Sequence, residues 1–478
     1  MSVFARARTP TAPGPDSREE LPFGPLAPSP GAPAQRAPHV AILDVDVAEG
    51  LPAIPGHDEH GRRWSAALVL VRVFTEPVGV LELAPPADGV SARELARAIA
   101  STLGGRVGAR ILAAGLEWQG DVPSDGLEPA QAPPYLAARE LVLAQAPSLT
   151  VAICTRNRPA GLAKCLASIV GQEYPSLRVL VVDNDPSDDS AQAVAREYES
   201  RLALDYVREP RPGLSWARNR AIDASDAEIL AWIDDDEELA DPWWAAEVAR
   251  AFVEHPEAGA ASGMILPAEI ETASQLQFEQ YGGHSKGRDF TREVFAAAGP
   301  GAQHPLYPLP PFGTGGNMAF RRDAMELIGR FDPALGAGTK TLAGEDTAAF
   351  SALLYLGGTV VWQPSAIVRH WHRREPDALA KLFHGYGRGL TAYYASMLAR
   401  HPSTLPRLLG LAPRALVDFV SPHGARLSGL ASDFPRDLLR VHRRGVFEGP
   451  GMYVRARRHA RRLRDGGGVS RQTGGRPA

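Results

Sequence analysis

The stretch EILAWIDDDEELADPWW, residues 228–244, sets an apolar strand directly against a run of acids. Ile229, Leu230, Trp232 and Ile233 favour burial, whereas Asp234, Asp235, Asp236, Glu237 and Glu238 repel one another and favour water or a cation. In an extended chain, residues i and i+2 point to the same side. Asp234 and Asp236 are therefore placed to aim two carboxylates at one point, with Asp235 on the other face or in a turn. Two convergent carboxylates beyond a buried strand make a hard-oxygen site for Mg2+ or Mn2+, ions that keep waters and share their other positions with substrate phosphates. The competing reading is a solvated acidic turn, with Glu237 and Glu238 favouring the dipole of the next helix.

On either side of this stretch, strands and helices alternate. SLTVAICT (148–155) reads as a strand, and Leu162, Cys165, Leu166 and Ile169 then form a helical stripe. LRVLVVDND (177–185) is nearly continuous apolar strand, as expected where a parallel sheet is covered on both faces. A helix capped by Ser187, the strand LDYVREP (204–210), the helix SWARNRAIDAS (215–225) and a helix from Pro242 to about Glu254 follow. Repeated β-α-β units predict an α/β fold with a mostly parallel, Rossmann-like sheet. Ligands in such sheets sit at the carboxyl ends of the strands. Three strands end in Thr155-Arg156-Asn157, Asp183-Asn184-Asp185 and Asp234-Asp235-Asp236, and that convergence marks a site.

Farther out, residues 1–37 and 467–478 read as disordered tails, the first rich in Pro, Ala and Gly. Residues 38–123 form a small α/β unit with strands in HVAILDVDV, WSAALVLVRVF and VGVLELA, a turn at TEPVG (75–79), and a helix capped by Ser91 and Glu94. Residues 124–147 read as a linker, 148–375 as the α/β catalytic region and 376–466 as a helical region. A net charge of −4 over 478 residues implies no bulk attraction to nucleic acid. Two cysteines, Cys154 and Cys165, are no disulfide framework and fit a reducing compartment. The N-terminus shows no apolar signal region and no run reaches the length of a membrane span, so a cytoplasmic protein is expected.

Taken together, the motifs resemble the bacterial-type family 2 glycosyltransferases, which have the GT-A fold. VAICTRNRP (151–159) looks like that family's first strand and nucleotide-binding turn, and VVDNDPSDDS (181–190) like its second strand. GLSWARNRAI (213–222) resembles its GxSxARNxG helix start, with Ala221 in the small position. AWIDDDEELADPWW matches the DxD strand, and GTGGNMAF and AGEDTAAF fit the acceptor-side half. The resemblance covers about residues 148–375, and its strength lies in six motifs in the right order.

The resemblance implies a nucleotide-sugar donor of UDP or dTDP type, held by Thr155, Arg156, Asn157, Asp183, Arg218, Asn219, Asp234 and Asp235. It implies a divalent cation, Mn2+ or Mg2+, on Asp234, Asp236 and His370. Asp346 of the ED motif is the implied general base, with Glu345 as its rival, and the reaction inverts the anomeric centre. Gly315, Gly316, Asn317 and His372 are expected on the sugar or acceptor side. The implied product class is cell-envelope polysaccharide, glycolipid or a glycosylated metabolite.

Six arginines crowd residues 451–464, where Tyr453, Ala456, Ala460 and Leu463 form a narrow apolar stripe. That pattern suggests rest on an anionic membrane, which suits a lipid-linked acceptor. The motifs also bear on two other functions. A nucleotidyltransferase would show a Gly-rich basic signature after the first strand, which CTRNRP lacks. A non-catalytic sugar-nucleotide-binding scaffold would not need intact DxD and ED motifs.

Overall fold

The computed structural model describes residues 38–285, 287–297, 306, 312–420 and 434–466, so both expected tails lie outside the described residues. Its strands are β1 (Val40–Asp46), β2 (Ala66–Val73), β3 (Glu76–Leu83), β4 (Leu149–Thr155), β5 (Leu177–Asn184), β6 (Leu204–Glu209), β7 (Ile229–Asp234), β8 (Glu237–Leu239), β9 (Ala258–Pro267), β10 (Glu293–Ala296), β11 (Asn317–Arg321) and β12 (Thr359–His370). Nine of them form one sheet in the order β10-β12-β9-β11-β7-β4-β5-β6, with β8 paired to β12. The strands β4, β5, β6, β7, β9 and β12 run one way, and β8, β10 and β11 run against them. The α/β class with a mostly parallel sheet is borne out.

Alternation along β4, β5 and β7 builds two cores. Ala152, Leu180, Val182, Leu230 and Trp232 face one layer with Phe320 and Phe350, and Val151, Ile153, Val179, Val181 and Ile233 face the other with Trp244 and Phe252. Register then sets the site. β4 pairs Thr155 with Asp183 and Cys154 with Asp234, so three chemically loaded strand ends finish at one level. His370 at the end of β12 lies opposite Glu237 of β8, which brings the histidine to the same edge.

The N-terminal sheet, β1-β2-β3, packs against the helix Ala92–Ala113, which has the Ser91–Glu94 capping box. The β2–β3 turn is Phe74–Thr75, ahead of the expected TEPVG, and Pro77 lies inside β3. Both turn residues have positive φ, 52° and 64°. The Asp46 carboxylate accepts their backbone N–H groups at 3.1 and 2.6 Å and so holds the turn in place. Part of the expected linker is a helix, Pro134–Gln145, because Tyr135, Arg139 and Val142 bury one face. Arg139 pairs with Glu247 at 3.2 Å and Arg72 with Asp241 at 2.9 Å, tying this part to the helix Trp244–Glu254 and the segment just before it.

The helical region contains Pro376–Arg400, Leu405–Val420 and Arg436–Gly466. The first and third cross at backbone contact through glycines. A Cβ on Gly387 would lie 2.0 Å from the His442 carbonyl oxygen, and one on Gly445 2.3 Å from that of His384. The Tyr453–Ala456–Ala460 stripe is buried by this crossing, and the Tyr453 hydroxyl donates to Asp332 at 2.8 Å. The stripe is therefore core and unavailable to a membrane, which corrects that expectation. No helix among the described residues is long and apolar enough to cross a membrane.

The crossing predicts opposite effects for two glycine-to-alanine changes. Gly445→Ala should cost about 1–3 kcal/mol, since backbone cannot yield to the new methyl. Gly410→Ala, with nothing within 4 Å of the added atom, should be neutral or gain up to about 1 kcal/mol in helix propensity. Thermal melts of the two variants check this.

Candidate active site

A sealed guanidinium stands at the centre of the strand ends. Arg218, on the helix Leu214–Ala224, is 2% exposed. It donates to Glu345 at 2.9 Å and to the Gly315 carbonyl at 3.0 Å, and lies 3.6 Å from Asp234. One cation thus joins the DxD strand, the ED motif and the Gly-rich segment. With these partners Arg218 has no exposed face for a nucleotide, so the expected nucleotide contact is replaced by a structural one. Asn219 is likewise engaged, exchanging two hydrogen bonds with the Phe331 backbone at 3.0 and 3.1 Å.

The ED pair divides in two. Glu345 is buried on Arg218; burial pushes its carboxyl up and the guanidinium pulls it back. Asp346 is half-buried at the N-terminus of the helix Glu345–Tyr355 and accepts the Gly315 N–H at 2.8 Å and the Thr347 N–H at 2.6 Å. Of the two, Asp346 is the carboxylate with access. Gly315 has to be glycine: a Cβ there would meet the Arg218 guanidinium at 2.8 Å. Gly316 in turn lies against Glu237, 2.3 Å from a would-be Cβ. Asn317 is buried and donates to the Met264 and Ala366 carbonyls at 2.9 and 2.8 Å while accepting from the Trp244 indole at 3.1 Å. Its amide holds strands together and does not reach a sugar, a second correction.

The three aspartates are not equivalent. Asp234 is the most open, with 38% of its side chain exposed. Asp235 and Asp236 form the turn between β7 and β8, and both are buried. Thr155 donates to Asp235 at 2.7 Å, and Arg158 grips both carboxylates, Asp235 at 2.5 Å and Asp236 at 2.9 Å. Asp235 therefore pins the turn to β4, and both its oxygens are engaged by protein donors. Burial raises it to about 7 despite Arg158, and raises Asp234 against the pull of Arg218. The solvated-turn reading fails because Glu237 is 1% exposed and accepts the Asp234 N–H at 2.8 Å.

By donor chemistry, two carboxylates and an imidazole, Asp234, Asp236 and His370 suit a divalent cation. Nε2 of His370 lies 3.5 Å from Asp236 Oδ1, and a cation, Arg158, already sits between Asp235 and Asp236. Burial, with His284, His372 and Arg373 nearby, holds His370 well below the ordinary histidine value, so its imidazole is neutral. His372, expected on the acceptor side, is buried between His370 and Glu279, with both ring nitrogens engaged.

On the nucleotide side, Asp183 is 1% exposed; one oxygen accepts the Tyr206 hydroxyl and the other, Oδ1, has no partner in the protein. A buried carboxylate oxygen left open suits a ring N–H. Asn157, at φ 54°, accepts from Ser187 N–H and hydroxyl at 3.0 and 2.9 Å, and Arg156 pairs with Asp185. Arg158 and Arg373, 3.7 Å from Asp236, were not singled out by sequence reasoning. Arg158 stands in the quoted TRNRP turn at the end of β4, and a basic residue at the strand end next to the DxD strand was the available signal.

Residues 150–329 match the family model described as glycosyl transferase family 2. The succinoglycan biosynthesis protein ExoM of Rhizobium meliloti is 31% identical over 244 residues, 49% of this chain and 69% of ExoM. The GalNAc(5)-diNAcBac-PP-undecaprenol beta-1,3-glucosyltransferase of Campylobacter jejuni is 30% identical over 95 residues, 20% of this chain and 31% of that enzyme. A solved mannosyltransferase, PcManGT of Pyrobaculum calidifontis in complex with GDP-Man and Mn2+, aligns with TM-score 0.40 and 19% identity over 69% of this chain and 96% of its own. The chain belongs to glycosyltransferase family 2, whose members transfer glycosyl groups.

The acidic turn predicts a pH-dependent stability. Asp235 titrates near 7 in the folded chain against an ordinary 3.8, so the folded state binds more protons than the unfolded one between those values. Stability in chelator should fall as pH rises from about 4 to 7. Added Mn2+ should raise the melting temperature more at pH 8 than at pH 5.

Proposed function

We propose that this chain moves a glycosyl unit from a UDP- or dTDP-sugar to an acceptor hydroxyl with inversion, using a divalent cation. The observation that carries this reading is the meeting of the DxD strand and the ED motif on Arg218: Asp234 and Glu345 flank one buried cation, and Asp346 is held beside them by the N–H of Gly315, whose carbonyl also accepts from Arg218. Asp183, with its open oxygen, would receive the base, flanked by the Thr155–Asn157 turn. Asp234, Asp236 and His370 would hold Mn2+ or Mg2+, which would offset charge on the departing diphosphate. Arg158 and Arg373 border the same place and would help bind the phosphates. Asp346, aimed by the Gly315 N–H, would take the proton of the attacking hydroxyl. No second carboxylate nucleophile is required for a single in-line displacement.

The names of ExoM and the undecaprenol-linked glucosyltransferase support a place in cell-envelope polysaccharide or glycan assembly on a lipid-linked acceptor. A lipid-linked acceptor would bring the enzyme to the inner face of a membrane. The surface open to such contact is the outer face of the helix Arg436–Gly466, where Arg440, Arg443, Arg444, Arg455 and Arg458 are exposed beside Phe447, itself 84% exposed.

Two outcomes follow. Asp346→Asn should lower transfer by about 10²–10⁴-fold with nucleoside diphosphate affinity unchanged; activity equal to wild type would remove Asp346 as base. The full chain should sediment with phosphatidylserine vesicles at low salt and be released at high salt, and failure to bind at low salt would remove the membrane contact.

A further inference from the structure

On the far side of His370 from the carboxylate turn, three histidines meet. His284 follows the helix Ala273–Gln280, His370 ends β12, and His372 comes two residues later. A ring nitrogen from each lies within 4.8 Å of the other two. The Nδ1 atoms of His370 and His372 face each other at 2.8 Å. Ring centroids stand 4.4 Å apart for His284 and His370, 4.9 Å for His370 and His372, and 5.7 Å for His284 and His372.

The surroundings are those of a ligand cluster. Nε2 of His372 lies 2.7 Å from Glu279 Oε1, a carboxylate that fixes the ring and leaves Nδ1 turned toward the other histidines. Phe278, 2% exposed, packs edge-on against both His284 and His372 and closes one wall. His370 and His372 are 8% and 5% exposed. Two imidazoles facing nitrogen to nitrogen can share one proton between them; a metal ion accepts a lone pair from every ring at once.

We propose that His284, His370 and His372 bind a transition-metal ion of the zinc class, at a site separate from the cation site of Asp234 and Asp236. An all-imidazole donor set favours Zn2+, Co2+, Ni2+ or Cu2+ over Mg2+. The separation follows from the His370 ring, whose two nitrogens point in different directions: Nδ1 toward His372, Nε2 toward Asp236 at 3.5 Å. One ion cannot take both. The three-histidine ion fixes the residue 281–285 segment to the end of β12 and, through His370, positions Asp236. This inference stands on the histidine geometry and does not require the glycosyl-transfer reading.

The test is metal content and metal spectroscopy of the full-length protein. After dialysis against a weak chelator, elemental analysis should find one zinc ion per chain in wild type and in Asp234→Asn, and none in His284→Ala or His372→Ala. Co2+ added to stripped protein should give the intense visible absorption of a nitrogen-rich, low-coordinate site. Glu279→Gln, which keeps the ring environment, should weaken zinc affinity by about 10–100-fold and covers the case in which the histidine variants do not fold. Wild type without zinc and without the Co2+ absorption would overturn the site. Zinc affinity unchanged in Glu279→Gln and the histidine variants would overturn it as well. Loss of the ion in Asp234→Asn alone would assign it to the carboxylate site instead.

Discussion

The architecture of this site hangs on one buried guanidinium. Arg218 is enclosed by groups from three parts of the chain that sequence separates by up to 127 positions: Asp234, Gly315 and Glu345. A buried arginine is tolerated only when its charge and its donors are met. Removing one partner from such a group typically costs about 3–5 kcal/mol. The donor strand end, the glycine loop and the acceptor helix are therefore not free to drift relative to one another. Asp346 inherits its position from this arrangement, because the Gly315 whose N–H it accepts is the residue whose carbonyl holds Arg218.

A second balance surrounds the acidic turn. Asp234, Asp235, Asp236 and Glu237 lie within four successive residues, and three of them are buried. Thr155, Arg158 and the backbone N–H of Asp234 offset part of that repulsion. The remainder shows as carboxyls raised by burial. A turn that concentrates negative charge with incomplete compensation would be relieved by a cation, as in the proposed donor site.

Much of this was legible in the sequence. The continuous apolar run of LRVLVVDND and the alternation of strands and helices specify a parallel sheet, and strand-end chemistry follows from strand direction. Less legible were the identities of partners. Arg218, Asn219 and Asn317 look like ligand contacts in one dimension, yet their donors and acceptors are used by backbone groups far away in sequence. Strand alternation set Asp235 apart from Asp234 and Asp236, but its partners Thr155 and Arg158 showed only in the β7–β8 turn. The Tyr453 stripe has the period of a surface helix, and only the glycine-mediated crossing of Pro376–Arg400 and Arg436–Gly466 shows that the stripe is core. His284 gave no signal, since its partners His370 and His372 are more than eighty residues downstream.

In the proposed donor site, the turn at Asp234–Asp236 and the open oxygen of Asp183 take a nucleoside diphosphate together with a divalent cation. Isothermal titration of UDP, dTDP and GDP into the wild-type chain, each with and without Mn2+, tests it most directly. A uracil or thymine nucleotide should bind, and Mn2+ should strengthen its binding. Absence of binding by all three nucleotides under both conditions would contradict it.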